Sequence, residues 1–61
     1  MTNPKFEITK RTNGEFQFNL RAAGNGEIIA TSEGYSSKQG CINGIESVKK
    51  NAPIAEIEDL T

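Results

Sequence analysis

Apolar and polar residues alternate in three stretches of this chain and follow a helical period in a fourth. From Lys5 to Arg11, Phe6 and Ile8 point one way while Glu7, Thr9 and Arg11 point the other. From Glu15 to Ala22 the alternation is cleaner. Phe16, Phe18, Leu20 and Ala22 share one face, and Glu15, Gln17, Asn19 and Arg21 share the opposite one. Glu27 to Ser32 forms a third stretch centred on Ile28 and Ile29. Period two is the strand signature.

The turns between these strands set the register. A two-residue loop at Asn13-Gly14 pairs Ile8 with Asn19 and mixes core with surface. A three-residue loop, Thr12-Asn13-Gly14, pairs Ile8 with Phe18 and Phe6 with Leu20, so the apolar face stays whole. Gly14 then takes the left-handed position of a bulged hairpin. The second turn echoes the first: Thr12-Asn13-Gly14-Glu15, then Gly24-Asn25-Gly26-Glu27. The same geometry pairs Ala22 with Ile28 and Leu20 with Ala30. Ile28 then faces the core and Ile29 faces away; a two-residue turn reverses the two.

Ser36 to Asn51 carries the helical period. Cys41, Ile42, Ile45 and Val48 form one stripe at helical spacing. Ser36 with Gln39 fits a capping box, and Ser37 is the alternative cap. Lys49 and Lys50 suit the C-terminal end of the helix dipole, and Pro53 blocks continuation. Ile54 to Leu60 reads as a short last strand, at an edge or dependent on a partner, with Ala55 and Ile57 on one face and Ile54, Glu56 and Glu58 on the other. The expected order is strand, strand, strand, helix, strand. The fold class is α+β, a three-stranded antiparallel sheet packed by one helix and followed by a short C-terminal strand. The expected core is Phe6, Ile8, Phe16, Phe18, Leu20, Ile28, Cys41, Ile42, Ile45, Val48 and Ile57.

Size narrows how such a core can hold. At 61 residues the chain is one domain. A chain this short buries roughly 60% of the surface its unfolded form exposes. One cysteine and no histidine leave no intrachain disulfide and no structural zinc site. Self-association is the remaining route, and a homodimer is expected. Net charge is −1, with seven basic and eight acidic side chains. No basic stripe marks a nucleic-acid partner. No apolar run approaches the length of a membrane span. The opening Met1-Thr2-Asn3-Pro4-Lys5 lacks the apolar region of a signal peptide, so a cytoplasmic location is expected.

Candidate chemistry is sparse, and no cofactor is expected. Cys41 has no histidine to activate it and lies in the apolar stripe. Ser32, Ser36, Ser37 and Ser47 suit caps and turns. Glu56, Glu58 and Asp59 read as a solvated face rather than a cation site. Phe16 and Phe18 offer two rings for base stacking, but Leu20 and Ala22 continue their face, which reads as core. Gly40 and Gly44 lie one helical turn apart and let a backbone approach closely. The neighbour is either the protein's own sheet or another subunit. Ile29, Gly40 and Gly44 are therefore the candidate interface. Asn19, Arg21, Glu33, Tyr35 and Lys38 form the candidate polar cluster for a ligand.

Together these residues resemble the YegP-like family, a small bacterial domain of unknown function. The resemblance rests on Phe16-x-Phe18-x-Leu20-x-Ala22, Asn25-Gly26-Glu27-Ile28-Ile29, Ser32-Glu33-x-Tyr35, Ser37-Lys38 and Gly44-Ile45-x-Ser47-Val48-Lys49-x-Asn51-Ala52. It spans Lys5 to Leu60. Gly40-Cys41 departs from the small or charged residues often found there in relatives. The resemblance implies the strand-strand-strand-helix-strand unit and the pairing of two units, since some relatives carry two in tandem. It implies no established activity and hence no catalytic residue. The expectation is a cytoplasmic, non-enzymatic homodimeric module. The rival is a domain binding a small ligand, peptide or nucleic acid through the polar cluster.

Overall fold

A computed structural model of the chain describes residues 3–61. Met1 and Thr2, part of the stretch read for a signal peptide, lie outside the described residues. The elements are β1 (Lys5–Lys10), β2 (Phe16–Arg21), β3 (Ile28–Thr31), α1 (Lys38–Asn51) and a closing 3-10 turn (Ala52–Ile54). The three strands form one antiparallel sheet in the order β1-β2-β3, and α1 packs on the central strand β2.

The first hairpin has the expected register, with Phe6 opposite Leu20 and Ile8 opposite Phe18. Its loop is Thr12-Asn13-Gly14, closed by the Arg11 N–H donating to the Glu15 carbonyl at 2.7 Å. Gly14 takes φ +91°. The Asn13 side chain accepts from the Glu15 N–H at 3.0 Å, which fixes the turn locally.

The second hairpin repeats that Asn–Glu contact, with Asn25 accepting from the Glu27 N–H at 3.0 Å. Its loop is nevertheless one residue longer. Ala22 N–H donates to the Glu27 carbonyl, so residues 23–26 form the turn. Gly24 and Gly26 both have positive φ, +84° and +70°, which admits the wider path. A bulge then takes the extra residue back: Arg21 pairs with Ile28, yet Leu20 still pairs with Ala30. The expectation for Leu20 and Ala30 therefore holds, and that for Ile28 does not. Ile28 is 44% exposed, because pairing with Arg21 puts it opposite a residue of the polar face.

Ser37, not Ser36, caps the helix; its hydroxyl oxygen accepts from the Gly40 N–H at 3.0 Å. Lys49 and Lys50 occupy the last turn, as the dipole favours. The core is smaller than expected. Phe18, Cys41 and Ile45 are buried, and Phe6, Phe16, Tyr35 and Val48 pack around them. Ile8 lies on an edge strand and is 36% exposed.

The expected last strand does not form. After the 3-10 turn, residues 55–61 are irregular and exposed throughout. A strand needs a neighbour to pair its backbone groups, and none of the described residues provides one to that segment. Ile57, expected in the core, is 98% exposed.

Candidate interaction surface

The two faces of the sheet differ in chemistry. On the outer face, polar side chains of β1 and β2 form a connected layer. Arg11 Nε donates to Gln17 Oε1 at 2.7 Å, and Gln17 Nε2 donates to Asn19 Oδ1 at 3.2 Å. Arg11 also reaches the Ser32 carbonyl at 3.3 Å, tying the segment after β3 to the first hairpin. Arg21 Nε donates to Glu7 Oε1, and Arg21 Nη1 donates to the Gly26 carbonyl at 2.7 Å. The Arg21 hydrogen bond holds the Glu7 carboxyl below the usual glutamate range, against a smaller opposing effect of burial.

On the inner face, aromatic rings lie beneath the helix. Phe18 meets Phe6 edge-on, with centroids 5.7 Å apart, and stacks on Tyr35 at 6.3 Å. Tyr35 is held there by its backbone, which exchanges two hydrogen bonds with Phe16, at 2.7 and 2.8 Å. Its ring lies over the helix glycines. A Cβ at Gly44 would come within 2.8 Å of Tyr35 Cζ and 3.4 Å of Phe18 Cε2, and one at Gly40 within 3.8 Å of Tyr35 Cδ1. The room left by Gly44 is filled by Tyr35 of the same chain, while a Cβ at Gly40 would meet that ring only at ordinary contact distance and Ser37 Oγ at 3.2 Å. Of the alternatives for these glycines, packing against their own chain matches the geometry.

The expected polar cluster is divided. Asn19 and Arg21 belong to the outer face. Tyr35 belongs to the inner face, where its ring closes the core. Glu33 borders a groove described below, and Lys38 opens α1 and is exposed. The feature that pattern reading missed is the Tyr35 ring. The available signal was the pair of helix glycines, which calls for a bulky neighbour in a chain with one tyrosine.

Little of this can do chemistry. Cys41 is fully buried, and burial pushes its thiol pKa up, away from the reactive thiolate. Among the described residues no group of three His, Cys, Asp or Glu side chains is placed to hold a metal. No described helix is long and apolar enough to cross a membrane.

The helix covers only part of the inner face. Beside it, toward β3, lies an open groove of about 360 Å³ lined mainly by Phe6, Leu20, Ala30, Tyr35 and Val48, with Ser32 and Glu33 among its polar residues. β3 forms one edge of the sheet. Ile28 and Ile29 stand exposed on it, at 44% and 61%. Groove and edge together are the candidate interaction surface.

A three-stranded sheet crossed by one helix, with part of its apolar face open, places the chain among small α+β domains. It belongs to the family described as a domain of unknown function (DUF1508), matched over residues 12–59. A UPF0339 protein of Treponema denticola is 55% identical over 56 residues, covering 92% of this chain and 95% of that protein. The UPF0339 protein YegP of Yersinia pestis is 54% identical over 48 residues, covering 79% of this chain but only 42% of that protein. A protein from Haloferax volcanii, solved by NMR in solution, shares the fold at a TM-score of 0.84 and 40% identity. That match covers 97% of this chain and 98% of that one.

Proposed function

We propose that this chain is a non-enzymatic homodimeric interaction module of the cytoplasm. One observation carries the reading: the chain alone is too open. It exposes 4845 Å², whereas a folded monomer of 6.6 kDa exposes about 3,900 Å². The excess of roughly 1,000 Å² is close to what each partner buries in a standard interface. The radius of gyration agrees, at 12.9 Å against about 10.5 Å expected for this length. Relatives more than twice as long as their match to this chain fit the same reading, since a longer chain has room for a second unit. Ile29 belongs to the surface a partner would cover, while Gly44 serves packing inside the chain.

Sedimentation equilibrium from low to high micromolar concentration tests this. A mass of two chains is expected. One chain's mass throughout that range overturns the reading.

A second reading is a binding domain for a small ligand or peptide. The groove favours it, with Ser32, Glu33 and Tyr35 beside an apolar floor. Of the cluster Asn19, Arg21, Glu33, Tyr35 and Lys38, this reading uses Glu33 and Tyr35. A monomer that retains a small molecule through purification, detected by native mass spectrometry, would favour it over the homodimer.

A further inference from the structure

We propose that Asn25 is a site of self-modification. The Gly26 backbone nitrogen attacks the Asn25 side-chain amide, ammonia leaves, and water opens the resulting succinimide to an aspartate or isoaspartate at position 25. The proposal is independent of both readings of function.

Asn-Gly is the dipeptide that closes this ring most readily, because glycine has no Cβ to obstruct it. The chain carries it three times, at Asn13-Gly14, Asn25-Gly26 and Asn43-Gly44. Asn13, Asn25 and Asn43 are all exposed, so access to water does not choose among them. The glycine N–H does. The nucleophile is the deprotonated peptide nitrogen, and donating a hydrogen bond holds an N–H in its protonated form. Gly44 lies inside α1, where its N–H belongs to the helix ladder. Gly14 N–H donates to the Arg11 carbonyl at 3.0 Å. Among the described residues, Gly26 N–H has no acceptor. Only its carbonyl is engaged, accepting from Arg21 Nη1 at 2.7 Å.

The side chains of the two loops differ in the same direction. Each asparagine folds back over its own peptide, with Oδ1 accepting from the N–H two residues on at 3.0 Å. That hydrogen bond also polarises the carbonyl under attack. The leaving nitrogen is held differently. Asn13 Nδ2 donates to Glu15 Oε1 at 2.9 Å, whereas Asn25 Nδ2 is 3.5 Å from Glu27 Oε2, a much weaker hold.

Water is the one co-reactant. Hydroxide takes the Gly26 proton and the bond from nitrogen to Asn25 Cγ forms. The bond from Cγ to Nδ2 breaks, and the leaving nitrogen takes a proton from water to depart as ammonia. Water then adds to either succinimide carbonyl. Both products replace a neutral amide with a carboxylate, one unit below the present net charge of −1. Isoaspartate also inserts a methylene into the loop that the Ala22–Glu27 hydrogen bond closes, beside the edge strand β3.

Trypsin puts the three pairs on separate peptides, residues 12–21, 22–38 and 39–49. The folded chain is kept in mildly alkaline heavy-oxygen water and then digested in ordinary water, so that the label marks conversion before digestion. Mass spectrometry should find labelled product on 22–38 forming roughly five- to tenfold faster than on 12–21, the worth of one backbone hydrogen bond. Peptide 39–49 should be slowest. In unfolding urea, where Asn13 and Asn25 share the run Asn-Gly-Glu, the two loop rates should converge. Equal rates in the folded chain, or a faster one on 12–21, overturn the proposal. A lead of 22–38 that survives urea also overturns it, because local sequence rather than the fold would then select Asn25.

Discussion

The inner face of the sheet has two halves built from similar residues, and they end in opposite states. Under the helix, Phe18 is 5% exposed and touches Phe6, Tyr35 and the α1 stripe of Cys41 and Ile45. Toward β3, Leu20 and Ala30 continue the same period-two pattern yet border an open groove. What differs is the supply of neighbours. One helix of 14 residues can cover one strip of a three-stranded sheet, and it covers the central strand. Apolar patterning specifies a face to be buried, and the cover can come from outside the chain.

The sharpest way to break this comparison is to truncate one residue from each half. Phe18→Ala should cost about 3–5 kcal/mol. A chain of this size has roughly 3–9 kcal/mol in all, so the loss takes a large share of the total. Leu20→Ala should cost about 1 kcal/mol in dilute solution, where the groove is open. Under the homodimer reading its cost should rise with concentration, as a second copy covers the groove. Urea midpoints for both variants across a concentration series give the answer. Equal and concentration-independent losses would mean that the two halves are equivalent.

The two hairpin turns offer a second comparison, with a smaller expected effect. Each has an Asn-Gly-Glu run and the same side-chain contact from the asparagine, but the first loop has three residues and the second four. Gly14 has φ +91° and open space where a Cβ would go. The penalty of Gly14→Val is therefore a backbone penalty alone, about 1–2 kcal/mol. The drop should appear in the melting midpoint without change in dimer affinity. An unchanged midpoint would mean that the loop relaxes to another turn and does not fix the β1–β2 register.

These turns also show what could be read from the pattern. The β1–β2 register was legible because one loop length alone keeps Phe6, Ile8, Phe16, Phe18 and Leu20 together. The second loop was ambiguous because Gly24 and Gly26 both tolerate left-handed backbone, so composition does not choose its length. The bulge that returns Leu20 to Ala30 leaves no mark in the residues. The alternation from Ala55 onward was read as a strand, but a strand requires a neighbour, and no pattern within one chain says where that neighbour lies. From the pattern alone Tyr35 reads as part of a polar cluster with Asn19, Arg21, Glu33 and Lys38. Its ring finds its role only after the backbone pairs with Phe16 and Gly44 clears a space.

The polar outer face provides the smallest effect and the clearest sign. The Glu7 carboxyl accepts from Arg21 Nε and lies near Lys5 Nζ, at 3.9 Å. Its pKa is lowered on folding, chiefly by the Arg21 hydrogen bond. A lowered folded pKa means that the native state binds this proton less readily than the unfolded chain. The stabilisation is then fully present above the unfolded value, near 4.5, and is lost as pH falls through the lower folded value. Both side chains of the pair are about a third exposed, so solvent screens the attraction and the gain is modest. Urea midpoints of the parent and Glu7→Gln should therefore differ at pH 7 in low salt and draw together as pH falls below 4.5. Added salt should shrink the pH 7 difference, because it screens exposed charges. Every other residue is common to the two proteins, so the difference between the two curves isolates Glu7. A constant gap from pH 7 to pH 3 would mean that Glu7 acts through packing on Arg21 rather than through its charge.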